Sequence, residues 1–158
     1  MGKRNSQRIH RSATFPAKFE SLESISAFIR EACELADLDD SSTYQVQLSV
    51  DEACSNIIEH AYSDAPEGAK IECKCLITND ELRIQLHDHG HSFNPLSVPT
   101  PDITSSLEER MRGGLGIFFI RHYMDKVIFK KGHFPSTRHI SGEDGNYLIL
   151  VKNRRASR

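Results

Sequence analysis

The chain is predicted to adopt an α+β fold, a two-layer sandwich in which helices cover one face of a β-sheet. Two observations favour this fold. Apolar residues recur every three or four positions in two segments between residues 21 and 62, which is the spacing of amphipathic helices. Apolar and polar residues then alternate over residues 70–78 and 81–87, which is typical of an antiparallel hairpin with one covered face.

Length and composition agree with one globular domain. The chain has 158 residues, of which 38% are hydrophobic and 27% are charged. A chain of this size buries roughly two-thirds of its unfolded surface. We expect the domain to span residues 13–153, preceded by a flexible basic arm at residues 1–12 and followed by a basic tail at residues 154–158.

Charge and hydropathy argue against nucleic-acid and membrane partners. The formal net charge is −2, and the basic residues at both ends have no interleaved aromatic residues that could stack on bases. No apolar run reaches the length of a membrane span, and no hydrophobic segment follows the basic start as a secretory signal requires. We therefore expect a cytoplasmic protein without nucleic-acid or membrane contacts.

The four cysteines are predicted to be reduced thiols, and Cys73 and Cys75 to be core residues of a strand rather than zinc ligands. Cys73 and Cys75 lie in phase with the apolar residues of the first alternating run, and the second cysteine pair that a structural zinc site needs is missing. Cys33 and Cys54 fall in the helical segments. Reduced thiols are typical of cytoplasmic proteins.

A short strand and a helix are predicted at the start of the domain. The strand covers residues 13–19, and Pro16 confines it to the edge of the sheet. The helix begins after Ser21, which is a suitable N-cap, and ends near Asp37. Its apolar stripe consists of Leu22, Ile25, Ile29, Ala32 and Ala36.

The second helix carries the first candidate site residues. Residues 39–42 are predicted to form a turn, and Ser42 with Gln45 matches a capping box that would start the helix. Its apolar stripe is formed by Val46, Val50, Ala53, Ile57 and Ala61. Glu52 and Asn56 flank this stripe four residues apart, so their side chains can converge on one ligand. Their oxygen atoms suit a hard cation or a general base beside it, although a solvated helix face is the favoured interpretation of this pair alone.

The second strand of the hairpin ends in another candidate site residue. Asp88 continues the inward phase of the alternating run, which places a carboxylate at the rim of the core. A buried charge is costly there unless a ligand or backbone donors satisfy it. Gly90 follows two residues later and allows flexibility or a close approach of the backbone. A simple strand-end turn is the alternative interpretation.

A glycine-rich turn is the third candidate. Residues 96–111 form a long polar segment of the kind used as a lid or a binding loop. Gly113, Gly114 and Gly116 then lead into an apolar helix, whose first backbone N–H groups offer a site for an anion such as phosphate. Two further strands are predicted at residues 126–131 and 146–152.

The three motifs, taken in their order along the chain, resemble the N, G1 and G2 boxes of the GHKL (histidine-kinase-like) ATPase superfamily. Within it, the chain looks most like the bacterial anti-sigma-factor serine/threonine-protein kinases. The likeness rests on three stretches, VDEACSNIIEHAY from residue 50, HDHGHSFNP from residue 87 and GLGIFFIRHYMD from residue 114. It extends over about residues 15–151 and implies a mixed, mostly antiparallel sheet covered by helices on one face.

The resemblance implies that the protein binds ATP and Mg²⁺, and it assigns a role to each motif. Glu52 would be the catalytic base, and Asn56 would coordinate the Mg²⁺ ion. Asp88 would accept a hydrogen bond from the adenine amino group, while Gly90 would let the base approach. The phosphates would be held by the backbone of Gly113, Gly114, Leu115 and Gly116.

The function that the resemblance implies is an ATP-dependent serine/threonine protein kinase acting as an anti-sigma factor. Such a protein phosphorylates a small anti-anti-sigma antagonist of the STAS type, sequesters a sigma factor by partner switching, and commonly works as a homodimer. The alternative is a non-catalytic ATP-binding regulatory module that switches protein partners with nucleotide state.

The G1 box departs from the family's pattern around its glycine. His91 and Ser92 stand where a second glycine is common, and Asn94 stands where an aspartate often precedes the proline. Both Asp88 and Gly90 are retained, so nucleotide binding is still expected.

Overall fold

The computed structural model describes residues 7–92, 94, 96, 115–131 and 145–155. The predicted loop at residues 96–111 lies outside these ranges except for Leu96, and so do Gly113 and Gly114. In chain order the described helices and strands are β1 (Ile9–Pro16), α1 (Leu22–Leu35), α2 (Asp40–Asn56), β2 (Lys70–Ile77), β3 (Glu81–Asp88), α3 (Leu115–Tyr123), β4 (Lys126–Lys131) and β5 (Asn146–Asn153).

The strands form one five-stranded sheet in the order β1-β2-β3-β5-β4. Each of the four pairings between the described strands is antiparallel, so the parallel pairing that a mixed sheet would contain does not occur among them. The hairpin of β2 and β3 lies where the alternating runs predict it, with Cys73 opposite Leu86. The predicted α+β fold class is confirmed.

The core lies between one face of this sheet and the helices. The inward-facing side chains of β2 and β3 are at most 2% exposed, namely those of Ile71, Cys73, Cys75, Ile77, Leu82, Ile84 and Leu86. On the helical side, α2 packs between α1 and α3. All four cysteines are buried and unpaired, which confirms the predicted core positions of Cys73 and Cys75.

The helices are of ordinary globular length, the longest being α2 with 17 residues. Spanning a membrane takes about 20 consecutive apolar residues, and within the described ranges no helix meets the requirements of length and apolar character. Helix α1 ends close to the predicted position, because Asp37 takes up a left-handed conformation with φ of 53°.

Strand β1 begins at Ile9, four residues before the predicted start at residue 13, and ends at Pro16 rather than at residue 19. The alternation of apolar and polar residues in this strand is not evident from the sequence, because the charged Arg11 occupies an inward position. The guanidinium group of Arg11 lies 2.7 Å from Glu31 and 5.5 Å from the centre of the Phe28 ring. Residues 9–12 therefore belong to the sheet and not to a flexible arm, while the predicted edge position of β1 is observed.

The start of α2 corrects the predicted capping box. The N-cap is Asp39, whose Oδ1 atom accepts a hydrogen bond of 2.7 Å from the backbone N–H of Ser42. Ser42 therefore acts as a donor inside the first turn, and the helix starts at Asp40 within the segment predicted to be a turn. An extended aspartate before a helix supplies the same acceptor as a serine, so the local pattern allowed two starting points.

Helix α2 continues into a π-helical turn at Ile57–Ala61. The N–H of Tyr62 donates to the carbonyl of Ile57 at 3.0 Å, five residues earlier, as the wider turn requires. The carbonyl of Ala61 then accepts a hydrogen bond of 2.6 Å from the N–H of His91. This turn therefore ties the end of α2 to the segment that follows β3.

Candidate functional site

A cavity that opens to solvent lies between α2, α3 and the adjoining ends of β3 and β5. Its walls are mainly apolar and include Ile117 and Ile120 of α3. Among the described residues, the polar ones that line it are Asn56, Asp88 and Asn146. A mostly apolar pocket with a few fixed polar groups is typical of a small-molecule site.

Asp88 provides a buried hydrogen-bond acceptor at the end of β3. Its side chain is 4% exposed, and its Oδ1 atom accepts hydrogen bonds from the Gly90 N–H at 2.9 Å and from Asn146 Nδ2 at 3.0 Å. Burial raises the pKa of the Asp88 carboxyl, and these two hydrogen bonds oppose the rise. Because both use Oδ1, the described contacts leave Oδ2 available to a donor in the cavity.

Gly90 is required by the packing of this turn. A Cβ atom at Gly90 would lie 2.5 Å from the carbonyl carbon of Ala61 and 2.8 Å from the Cβ atom of Ala61. No side chain fits at that separation. The space that glycine provides therefore faces the end of α2, which is a reason for this residue beyond the predicted approach of a base.

Asn56 offers an unused amide at the same cavity. Its Nδ2 atom is buried and has no hydrogen-bond partner among the described residues. A buried polar atom without a partner needs an explanation, and a bound ligand is one. The oxygen of the same amide is a hard donor of the kind that Mg²⁺ accepts, and this ion usually takes only one or two protein oxygen ligands in addition to phosphate oxygens and water.

Glu52 lies one helical turn before Asn56 and is half-buried. Burial raises the pKa of the Glu52 carboxyl, and the negative charges of Asp51 and Glu59 raise it further. A raised pKa makes a carboxylate a better proton acceptor at neutral pH. The carboxylate also contacts Gly116, where an added Cβ atom would lie 3.1 Å from Cδ of Glu52.

The glycine motif is only partly described. Gly113 and Gly114 lie outside the described residues, and Leu115 is the first residue of α3 as described. Gly116 lies in the first turn, opposite Glu52. The structure thus brings Gly116 together with the predicted base, and it brings Asp88 and Asn56 to one cavity.

Two site residues were not predicted from the sequence. Asn146, the first residue of β5, is 5% exposed and contacts Asp88, and the hydroxyl of Tyr62 accepts a hydrogen bond of 2.8 Å from the N–H of His89. A polar residue at an inward position of an apolar strand was the available signal for Asn146. This signal points to Asp88 only once the register of β3 and β5 is known, because that register places Asn146 opposite Asp88, 58 residues away in the chain.

The class of protein follows from this fold and site. A buried carboxylate at a strand end, an amide and a carboxylate on one helix, and a glycine in the first turn of a facing helix are the features expected of a histidine-kinase-like ATP-binding domain. The family model of the histidine kinase-like ATPase domain matches residues 15–152. The chain belongs to this family.

Several curated relatives are protein kinases. The chain is 27% identical to the serine-protein kinase RsbW of Bacillus velezensis over 117 residues, which cover 68% of this chain and 71% of that protein. It is also 27% identical to the serine/threonine-protein kinase BtrW of Bordetella bronchiseptica over 104 residues, covering 63% and 72% of the two chains. The serine-protein kinase RsbW of Halalkalibacterium halodurans is 32% identical over 90 residues, 54% of each chain. These relatives confirm the resemblance that the motifs indicated.

Proposed function

We propose that this protein is an ATP-dependent serine/threonine protein kinase that acts as an anti-sigma factor. It phosphorylates a small anti-anti-sigma protein of the STAS type and sequesters a sigma factor by partner switching. The observation that carries this proposal is the half-buried carboxylate of Glu52, with a raised pKa, one helical turn from Asn56 and in contact with Gly116.

The adenine base occupies the apolar cavity in this proposal. The Oδ2 atom of Asp88 accepts a hydrogen bond from the exocyclic amino group, since Oδ1 is already engaged by Gly90 and Asn146. Apolar side chains of α2 and α3 contact the faces of the base. The phosphates bind to the backbone N–H groups of Gly113, Gly114, Leu115 and Gly116.

Asn56 is the residue that would hold Mg²⁺, through its amide oxygen. Its buried Nδ2 atom has no partner in the described part of the chain, so no hydrogen bond of the amide nitrogen opposes a rotation of the side chain. When bound, the ion neutralises charge on the phosphate oxygens during phosphoryl transfer.

Glu52 acts as the general base of the transfer. Its carboxylate accepts the proton of a serine or threonine hydroxyl on the antagonist, and the hydroxyl oxygen forms a bond to the γ-phosphorus of ATP. The bond between that phosphorus and the oxygen bridging to the β-phosphate breaks, and ADP leaves. The raised pKa of Glu52 supports this role, because a stronger base competes better for the hydroxyl proton.

The proposal extends to assembly and location. The protein works as a homodimer in the cytoplasm, where the four free buried thiols remain reduced. Size-exclusion chromatography with light scattering tests the dimer. Co-purification with the sigma factor of the same organism, with and without ATP, tests the sequestration.

The kinase activity is tested with ATP labelled in its γ-phosphate, Mg²⁺ and the cognate antagonist protein. The wild-type chain should label serine or threonine on the antagonist, and Glu52→Gln should lose labelling while it still binds ATP. Glu34→Gln is the matched control, since Glu34 is an exposed carboxylate on α1, and it should label normally. Binding of ATP by the wild type without any transfer would support the non-catalytic module instead.

A further inference from the structure

We propose that Tyr62 and Asn146 are positioning residues. They hold Asp88 in the orientation in which its carboxylate accepts a hydrogen bond from the amino group of adenine. This inference rests on the proposed function, in which Asp88 accepts a hydrogen bond from adenine. It adds two residues, one from the end of α2 and one from the start of β5, that determine how well the site selects its nucleotide.

Tyr62 supports the turn after Asp88 from the side of α2. The residue is 6% exposed and directly follows the π-helical turn. Its hydroxyl donates to the carbonyl of Lys70 at 2.9 Å and accepts from the N–H of His89 at 2.8 Å. The hydroxyl therefore links the start of β2 to the residue immediately after Asp88.

Asn146 supports the same turn from the side of β5. Its Nδ2 atom lies 3.0 Å from Asp88 Oδ1, 3.1 Å from the carbonyl oxygen of Gly90 and 3.3 Å from that of His91. The two carbonyl oxygens can only accept hydrogen bonds, so the nitrogen of this amide, and not its oxygen, must face them. One side chain thus fixes both the carboxylate and the backbone that follows it.

Together these contacts fix the rotation of the Asp88 carboxylate. The Oδ1 atom receives two hydrogen bonds, from Asn146 and from the N–H of Gly90. This arrangement directs the other oxygen, Oδ2, to the ligand. Because directional hydrogen bonds weaken steeply when the geometry is poor, loss of either support should weaken the contact with the amino group. Contacts of the ligand with the apolar walls and the phosphate site do not depend on this rotation.

Nucleotide selectivity distinguishes positioning from a merely structural role. The probes are ATP and purine riboside triphosphate, which differs only by lacking the exocyclic amino group. A hydrogen bond to a charged acceptor is worth about tenfold or more in affinity, so the wild type should prefer ATP by at least that factor. Tyr62→Phe and Asn146→Ala should each weaken ATP binding about 3- to 10-fold and leave the affinity for the analogue unchanged.

Matched control variants exist in the same chain. Tyr44→Phe removes a hydroxyl from a tyrosine that is 63% exposed on α2, and Asn153→Ala removes an amide from the exposed end of β5. Both should bind the two nucleotides as the wild type does. Thermal unfolding verifies that each variant is folded, and Asn146→Ser replaces Asn146→Ala if the alanine variant does not fold.

Two results would overturn the inference: equal losses of affinity for both nucleotides, or unchanged selectivity, in the Tyr62 and Asn146 variants. Asp88→Ala separates this failure from a failure of the proposed function. If Asp88→Ala keeps the wild-type preference for ATP, the assignment of Asp88 to the base is wrong. If it abolishes the preference while the Tyr62 and Asn146 variants retain it, only the positioning role is wrong.

Discussion

The carboxylate of Glu52 lies against Gly116, which joins the predicted base on α2 to the first turn of α3. A Cβ atom at Gly116 would lie 3.1 Å from Cδ and 3.3 Å from Cβ of Glu52, and still closer to Oε2. The space left by the missing side chain is thus occupied by the carboxylate. Gly116 therefore has two roles: it leaves space for the carboxylate of Glu52, and we propose that its backbone also contacts phosphate.

We expect Gly116→Ala to displace the carboxylate and to lower the rate of phosphoryl transfer by about 100-fold, the cost typical of a misplaced catalytic group. Glu52→Asp shortens the side chain and frees space for the new methyl group. Its effect should therefore be smaller in the Gly116→Ala background than in the wild type, which a double-mutant cycle on transfer rates measures. Strictly additive effects would show that the contact does not matter for transfer.

The pH dependence of transfer should reflect the raised pKa of Glu52. The base must be deprotonated, so kcat/KM falls as pH decreases through this pKa, and that fall should occur above the range of an ordinary glutamate. Asp51→Asn removes a neighbouring negative charge that contributes to the rise, so the fall should move to lower pH. The Glu34→Gln control should leave the profile unchanged, and an unshifted profile in Asp51→Asn would contradict the prediction.

Asn56→Ala should abolish the dependence of ATP binding on Mg²⁺. Calorimetry on the wild type should show tighter binding of ATP when Mg²⁺ is added, whereas the variant should show little gain and no transfer. The substitution breaks no hydrogen bond of Nδ2 among the described residues, so the melting temperature should not fall on that account. Retention of the full magnesium effect in Asn56→Ala would exclude this residue as the ligand.

Asp88→Asn should stabilise the nucleotide-free protein while it weakens ATP binding. The pKa of Asp88 is raised in the folded state by burial, so between the ordinary aspartate pKa and this raised pKa the folded chain holds a proton that the unfolded chain has released. Stability is therefore lost as pH rises from the ordinary aspartate range through the raised pKa. At neutral pH, a gain of about 1 kcal/mol would raise the Tm by about 2–4 °C.

The same linkage supplies an internal control for Asp88→Asn. Below the ordinary pKa of aspartate, about 3.9, the wild-type side chain is neutral in both states, so the difference in Tm between the two proteins should vanish. A difference that stays constant with pH would mean that the ionisation of Asp88 does not cause it. Thermal unfolding at a series of pH values measures this.

Short-range patterns predicted much of this fold and part of the site. The alternation in β2 and β3 identified the covered face and the position of Asp88 at the strand end, since side chains on a strand repeat every second residue. The helical spacing placed Glu52 and Asn56 on adjacent turns of α2. Both relations are contained within a few consecutive residues.

Long-range contacts limited the prediction elsewhere. Arg11 faces inward only because Glu31 and Phe28 of α1 receive its guanidinium group, and no local pattern contains that information. The role of Asn146 similarly depends on strand order, which brings β5 beside β3. Such contacts arise when distant segments pack, so a period of two or of three to four residues cannot reveal them.

The position of β3 in the sheet has a consequence for local opening. Strand β3 is hydrogen-bonded on both sides, to β2 and to β5, whereas β1 and β4 lie at the two edges. Amide hydrogens in doubly paired strands exchange with solvent through larger openings than those at edges. We therefore expect slow exchange along β3 up to Asp88, and fraying of β1 should leave the half of the site that contains Asp88 intact.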